Sequence, residues 1–327
     1  MATYKGIQGY SVQKLSTDPT ASETAGQLWY NSTTGKFKIS TAGAGAWASS
    51  DEINTARRSM AGTGTTTAAV IAGGIGPPST ATETYNGSAW TTSPATITAR
   101  QYLKGDGSST AAIIFGGVGP PIYAITETFD GTSWSEKADL NQARQKVGNS
   151  TLGSTTASLC FGGSTAPETT SYALTELWDG TSWSEKADLN QARAGIGGAG
   201  TSTAALAIAG YGPGQSPHYS LVEVWDGTSW SEINNVLTGG GEFGSAGTTT
   251  SALIYGGQRP SAGKLTEQYD GSSWTEVADL AVNNQGCASS GVSGSSALRI
   301  SGYVPPNVTT VDEWADPVYA IKTVTVS

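Results

Sequence analysis

The sequence predicts an all-β protein: six four-stranded antiparallel blades stacked radially as a β-propeller. Three observations carry this, namely an unusual composition, a segment that recurs at near-constant spacing, and a four-strand reading of each recurrence. Of 327 residues, 44 are Gly and 13% are charged, against roughly 7% and about 25% in ordinary globular chains. The net charge of −9 is small for this length, and 10 Trp with 13 Tyr supply apolar mass, so the chain folds rather than staying disordered. Gly shows no three-residue period, which excludes a collagen helix.

An apolar run ending in a Gly doublet recurs as VIAGG, IIFGG, LCFGG and LIYGG, with degenerate copies at Gly210-Tyr211 and Gly302-Tyr303. The first Gly of successive copies is Gly73, Gly116, Gly162, Gly210, Gly256 and Gly302. A period of this size belongs to stacked repeat units. Each doublet is followed by a variable loop and then by TETYNGSAW, TETFDGTSW, TELWDGTSW, VEVWDGTSW or TEQYDGSSW. The aromatic and the Trp in these are always five apart, as in Tyr85 and Trp90 or Trp178 and Trp183. Arg100, Arg144 and Arg193 each lie ten residues beyond such a Trp, and the same interval links Trp47 to Arg57.

Taken in order, residues 1–44 read as an N-terminal hairpin or attachment segment, with LWYN and KFKI as strands around Ser-Thr-Thr-Gly. Residues 45–50 read as an outer strand that has no inner three before it. Each repeat then supplies a Gly- and Thr-rich inner strand, because strands crowding an axis need small side chains. Its second strand is the apolar run into Gly-Gly, continuous because both faces are buried. The third is the Glu-x-aromatic segment, and Asp-Gly or Asn-Gly turns the chain into a Trp-bearing fourth. One such unit cannot bury both of its faces, so the units stack around an axis. The last unit reads VDEWAD, with Asp312 and Trp314 in the Glu and aromatic positions and no following Trp. Pairing it with the strand of Trp47 closes a ring of six over residues 45–316. The alternative is closure by the alternating segment 318–327, with 317–327 otherwise a C-terminal strand or tail.

The ordered set of Arg, apolar run, Gly-Gly, Glu-x-aromatic-Asp and Trp resembles the kelch repeat, over roughly residues 47–316. Two departures are evident: Arg is missing from the fifth and sixth inner strands, and the sixth unit lacks its own outer strand. A second resemblance lies in GQLWYNSTTGKFKIS, residues 26–40, followed by GAGAW. These look like segments near the N-termini of tailed-phage tail fibre and other virion proteins, and the resemblance implies a virion location, on the tail or particle surface.

The chemistry on offer is sparse. A sequence pI near 4.6 gives no general reason to bind nucleic acid, which needs clustered Lys and Arg. No apolar run approaches the roughly 20 residues of a membrane helix, and the first 15 residues lack a signal-peptide core, so no membrane insertion is expected. Cys160 and Cys287 form no C-x-x-C unit, and Cys160 reads as a small core residue. The one His, His218, cannot make a His-based metal site. Copper oxidases built on kelch-type folds need several His and Tyr ligands, so that activity is not expected here, nor is any metal or cofactor. Asp130, Asp179, Asp226 and Asp270 each put one carboxylate in a turn, too few oxygens for calcium. They read as turn formers. The repeated Arg57, Arg100, Arg144 and Arg193 with Glu83, Glu127, Glu176, Glu223 and Glu267 read as pairs within or between blades rather than as an anion site.

What differs between copies is expected to bind. The loops after the Gly doublets vary, carry Pro, and offer Tyr123, Tyr172, His218, Tyr219 and Arg259 as contact residues on one rim. The expected protein is therefore a non-enzymatic virion component, an adhesin or fibre-like binding module of a tailed phage, present in multiple copies per particle. Its partners would be other virion proteins and a host-surface glycan or protein. The alternatives are a capsid or tail decoration protein that only docks to other virion subunits, and a carbohydrate-active enzyme.

Overall fold

A computed structural model describes residues 12–19, 26–42, 45–77, 79–259, 263–316 and 319–324. The described chain is all-β apart from one short 3-10 turn at Pro213–Gln215, and it forms seven four-stranded sheets, not the six expected. It divides into two compact units, residues 47–315 and residues 1–46 with 316–327.

Six sheets belong to the larger unit and follow the repeat. The first is Ala61–Gly64, Ala69–Ala72, Thr82–Tyr85 and Trp90–Ser93. The second is Lys104–Ser108, Ala111–Phe115, Thr126–Phe129 and Trp134–Lys137. In the third, Gly148–Asn149 pairs with Ser158–Phe161, followed by Thr175–Trp178 and Trp183–Lys186. The fourth is Gly197–Thr201, Ala204–Tyr211, His218–Trp225 and Trp230–Ile233. The fifth is Gly244–Thr248, Ser251–Tyr255, Thr266–Tyr269 and Trp274–Glu276. The sixth takes Ala288–Ser293, Ser296–Tyr303 and Asn307–Ala315 from the end of the repeats and Ala46–Ser50 from their start. Trp47 is thus on the outer strand, as its interval to Arg57 predicts.

A circle of backbone hydrogen bonds ties the entrances of the six inner strands together. Ser59 N–H donates to Gly286 O at 2.6 Å, Tyr102 to Ser59 at 2.7 Å, and Lys146 to Tyr102 at 3.0 Å. Gly195 then donates to Lys146 at 2.8 Å, Glu242 to Gly195 at 2.8 Å, and Gly286 to Glu242 at 3.2 Å, which returns to the start. All six residues hold φ between 54° and 65°. For Ser59, Tyr102, Lys146 and Glu242 this left-handed backbone costs on the order of 1–3 kcal/mol each, and the glycines at 195 and 286 adopt it without a Cβ penalty. The next residue of each strand, Met60, Leu103, Val147, Ile196, Phe243 or Cys287, is buried.

The outer Trp residues fasten each sheet to the one before it. Trp134, Trp183, Trp230 and Trp47 donate from Nε1 to the hydroxyls of Thr82, Thr126, Thr175 and Thr266, at 3.2, 2.9, 3.0 and 3.0 Å. Each Thr opens the third strand of the preceding sheet. The fourth and sixth sheets, whose third strands start four residues earlier, have Val222 and Val311 at the equivalent repeat position. Accordingly Trp274 turns to the Asn234 carbonyl, and Trp90 Nε1 is buried with no acceptor.

The seventh sheet belongs to the smaller unit. Leu28–Asn31 and Lys36–Ala42 form the expected hairpin. Gln13–Leu15 flanks it in parallel pairing on one side, and Tyr319–Thr323 in antiparallel pairing on the other. The C-terminal segment is therefore neither a separate tail nor the closing strand of the larger unit: Ile321 pairs with Ser40. Of that segment, residues 317–318 and 325–327 lie outside the described residues.

Candidate functional site

The repeated charged residues are consumed by the scaffold. Arg57–Glu83, Arg100–Glu127, Arg144–Glu176 and Arg193–Glu223 are buried ion pairs within the first four sheets. These carboxylates also accept backbone N–H groups from the incoming connection, such as Asn54 N at 2.6 Å on Glu83 and Asn141 N at 2.7 Å on Glu176. The fifth and sixth sheets, which lack the Arg, rebuild the pair from other positions. Arg259 reaches Glu267 at 2.6 Å, and Arg299 reaches Asp312, its cross-strand partner, at 2.6 Å. The turn aspartates are likewise spent: Asp130 Oδ1 accepts from Thr132 N, Thr132 Oγ1 and Ser133 N at 2.8, 2.7 and 2.8 Å. Hydrogen bonds from Thr132 and Ser133 hold its pKa down to about 2, and those from Thr181 and Ser182 do the same for Asp179.

What remains for chemistry lies where the copies differ. Two residues beyond the repeated Arg, at the circle of backbone bonds, the chain carries Ser59, Tyr102, Lys146, Gly195, Glu242 and Gly286. Lys146 Nζ there sits 2.6 Å from Glu242 and 2.8 Å from Glu168, which descends from the loop after the third sheet's second strand. Its ammonium lies 4.5 Å from the Tyr102 ring centroid and 5.4 Å from that of Tyr211. Tyr211 Oη donates to Glu242 at 2.8 Å. Burial alone would lower the Lys146 pKa, but the charge of Glu242 and the hydrogen bonds to Glu168 and Glu242 outweigh it and raise it. Burial, reinforced by both carboxylates, pushes the Tyr211 phenol far up. The ammonium therefore stays charged and the phenol stays a donor, so the group is a fixed polar stopper at the circle of backbone bonds.

Beneath it is a cavity of about 40 Å³ walled by Met60, Leu103, Val147, Ile196 and Phe243. Lys104 also lines it, at the strand position where the other copies have Ala61, Gly148, Gly197, Gly244 and Ala288. Desolvation there lowers the Lys104 pKa. Two grooves open beside the connections. One of about 670 Å³ is lined by Gln258, Lys264, Val282 and Tyr303, and one of about 270 Å³ by Ser79, Gln101 and Pro120.

The five residues expected to bind divide into three groups. Tyr123 and Tyr172 are half-buried loop residues in matching positions. Their N–H groups donate to Gly117 and Gly163, and their carbonyls accept from Arg144 and Arg193. His218 and Tyr219 are not in a loop: they begin the third strand of the fourth sheet, with His218 opposite Tyr211. The His218 ring lies 6.1 Å from that of Tyr211, and Tyr219 Oη accepts from Gln191 at 3.4 Å. Arg259 is corrected outright, because it is 8% exposed and bound to Glu267, to Gly256 O at 3.0 Å and to Thr238 O at 3.1 Å. Among the described residues no hydrogen bond or ring contact joins any two of the five. The stopper residues Tyr102, Lys146, Glu168, Tyr211 and Glu242 were not expected. The signal was present for Tyr102, Lys146 and Glu242, which occupy one repeat position with a different residue in nearly every copy.

The sheets and their circular succession define a propeller-like all-β protein. No family model matches the chain, and no curated protein does. Solved structures do match, 277 chains in all. One of them, described as the structure of YjhT, superposes with a TM-score of 0.64 at 14% identity, covering 84% of this chain and 99% of that one. At that identity the likeness concerns the fold alone.

Proposed function

We propose that the six sheets of the larger unit are the blades of a six-bladed, kelch-like propeller, and that the chain is a non-enzymatic binding module of a tailed-phage particle. The smaller unit attaches it, and the loops after the second strands contact a host-surface glycan or protein. The observation that supports this reading is the division of labour among side chains. Repeated Arg, Glu, Asp and Thr, and every repeated outer Trp but Trp90, are spent on pairing, turns and sheet-to-sheet bonds. In an antiparallel blade the starts of strands one and three lie at the same end, so the variable loops and the stopper share one rim. Rigid scaffolds carrying variable loops are the usual arrangement for recognition.

The experiment replaces residues 119–122 and 213–217 with Gly-Ser segments, which spares the fastened Tyr123 and Tyr211, and measures adsorption of particles to host cells. Adsorption should fall at least tenfold with an unchanged melting temperature. Unaltered adsorption with a folded protein would sink the adhesin reading and leave a decoration protein that docks only to other virion subunits.

A further inference from the structure

The cavity under the stopper adjoins a second one of about 20 Å³ between the first strands of the larger unit, and Met60 and Lys104 belong to the walls of both. The second wall is rich in hydroxyls, from Thr63, Thr151, Ser245, Ser289 and Ser290, and Lys104 is its one charged residue. On the first wall the other charged residues are Lys146 and Glu242, which pair with each other at 2.6 Å. Lys104 therefore brings a charge that neither wall balances. Among the described residues its ammonium makes no ion pair and no hydrogen bond. The acidic groups whose fields reach it are Cys287, Glu242 and Asp106, and none is free to serve as its counter-charge. Burial pushes the Cys287 thiol up, so it stays neutral. Glu242 is held by Lys146 and Tyr211, and Asp106 accepts from Asn149, Ser150 and Ser158. Desolvation lowers the Lys104 pKa although the side chain keeps some accessible surface, so that surface faces the cavities and not bulk water.

We propose that a single small monovalent anion, of halide size, binds at the Lys104 ammonium where the two cavities meet. Unspent donors stand on both sides of it. Ser59 Oγ on the first wall and Thr151 Oγ1 on the second are buried without a partner. Ser245 Oγ accepts from Gly198 N–H at 3.0 Å, and its own proton has no acceptor among the described residues. Size limits the ligand. One water needs roughly 10–15 Å³ of such space, so cavities of about 40 and 20 Å³ admit a particle of that order and exclude phosphate, sulfate and sugars. Charge then separates an anion from a water. Both accept from the ammonium and the hydroxyls, but only the anion cancels a buried charge that is otherwise costly to keep. An ion bound to the folded chain alone stabilises it by mass action, so this site makes the stability of the larger unit depend on halide.

The inference does not rest on the binding role of the loops, and their grafts leave it unaffected. Two measurements on the full chain test it. Crystals soaked in sodium bromide, with diffraction recorded at the bromine absorption edge, should show an anomalous peak beside Lys104 Nζ. In solution, urea unfolding is followed over a series of chloride or bromide concentrations, with gluconate, too large to enter, holding the ionic strength constant. The unfolding constant of the parent should fall with halide, approaching tenfold for each tenfold rise once one site fills. Lys104→Met keeps an unbranched stem and removes the charge, so its unfolding should not respond to halide; circular dichroism checks that it is folded. If that variant does not fold, the bromide peak in the parent decides. A parent indifferent to halide, a folded Lys104→Met protein that responds as the parent does, or bromide density only at other places would overturn the inference.

Discussion

Replacing Arg259 with Ala separates a scaffold role from a ligand role at one position. The guanidinium is fully shielded, 2.6 Å from Glu267, whose side chain is 1% exposed. Removing it leaves that carboxylate buried with only the N–H groups of Leu237 at 2.6 Å and Thr238 at 3.2 Å. It also deprives the Gly256 and Thr238 carbonyls of their donor and the Phe243 ring of a cation 4.8 Å from its centroid. Breaking one side of a buried pair costs about 3–5 kcal/mol. For a unit of this size that corresponds to a fall in melting temperature of roughly 6–20 °C. The companion Glu267→Gln keeps an oxygen for Leu237 N–H, so Arg259→Ala combined with Glu267→Gln should recover part of the loss. Calorimetry and urea titration of the single and double variants give the coupling. An Arg259→Ala protein with unchanged stability and lost adsorption would refute the scaffold assignment and restore Arg259 to the binding rim.

Trp183→Ala should cost about 3–5 kcal/mol, since the ring packs 5.0 Å from Phe115 and 5.5 Å from Trp178 and bonds Thr126; thermal melts check this, and adsorption corrected for folded protein should not change. Val311→Thr offers Trp90 Nε1 the hydroxyl that four other sheets supply, and should add about 0.5–1.5 kcal/mol by urea denaturation. Deleting residues 1–50 strips the outer strand from the sixth sheet and bares an edge, so light scattering should show aggregation; a monomeric fragment with the parent's melting temperature would count against this closure. The turn aspartates have folded pKa values near 2, below the ordinary 3.8. Their stabilisation is therefore complete above about pH 4 and is lost as pH falls toward 2, which a melting series over that range measures.

Spacing made much of the larger unit legible, because a repeated unit places equivalent residues at equivalent backbone positions. The ten-residue interval from Trp47 to Arg57 located the strand of the sixth sheet that lies farthest away in sequence. Spacing failed where one geometry is reached from another position. Arg259 and Arg299 satisfy Glu267 and Asp312 from a loop and from a second strand, so no interval reveals them. The seventh sheet was missed for a related reason. Its hairpin is readable, but Gln13–Leu15 is only three residues long, and nothing periodic ties Tyr319–Thr323 to the N-terminal strands. The stopper is not legible from the loops, because Lys146 and Glu242 vary at a position inside the repeat itself.

The sixth sheet sets a schedule for synthesis. The Glu52 carboxylate and the Thr309 hydroxyl that bond beside its closing strand are 257 residues apart, so a ribosome making this chain exposes the strand of Trp47 long before its partner exists. Ribosomes add roughly 5–20 residues per second, which leaves that strand waiting about 13–50 seconds. Until then five sheets can assemble in order while the circle of backbone bonds stays open between Gly286 and Ser59. The contacts that join the earliest residues of the larger unit to its latest, Ser59 with Gly286 and the strand of Trp47 with Asn307–Ala315, can form only after the last repeat has been made.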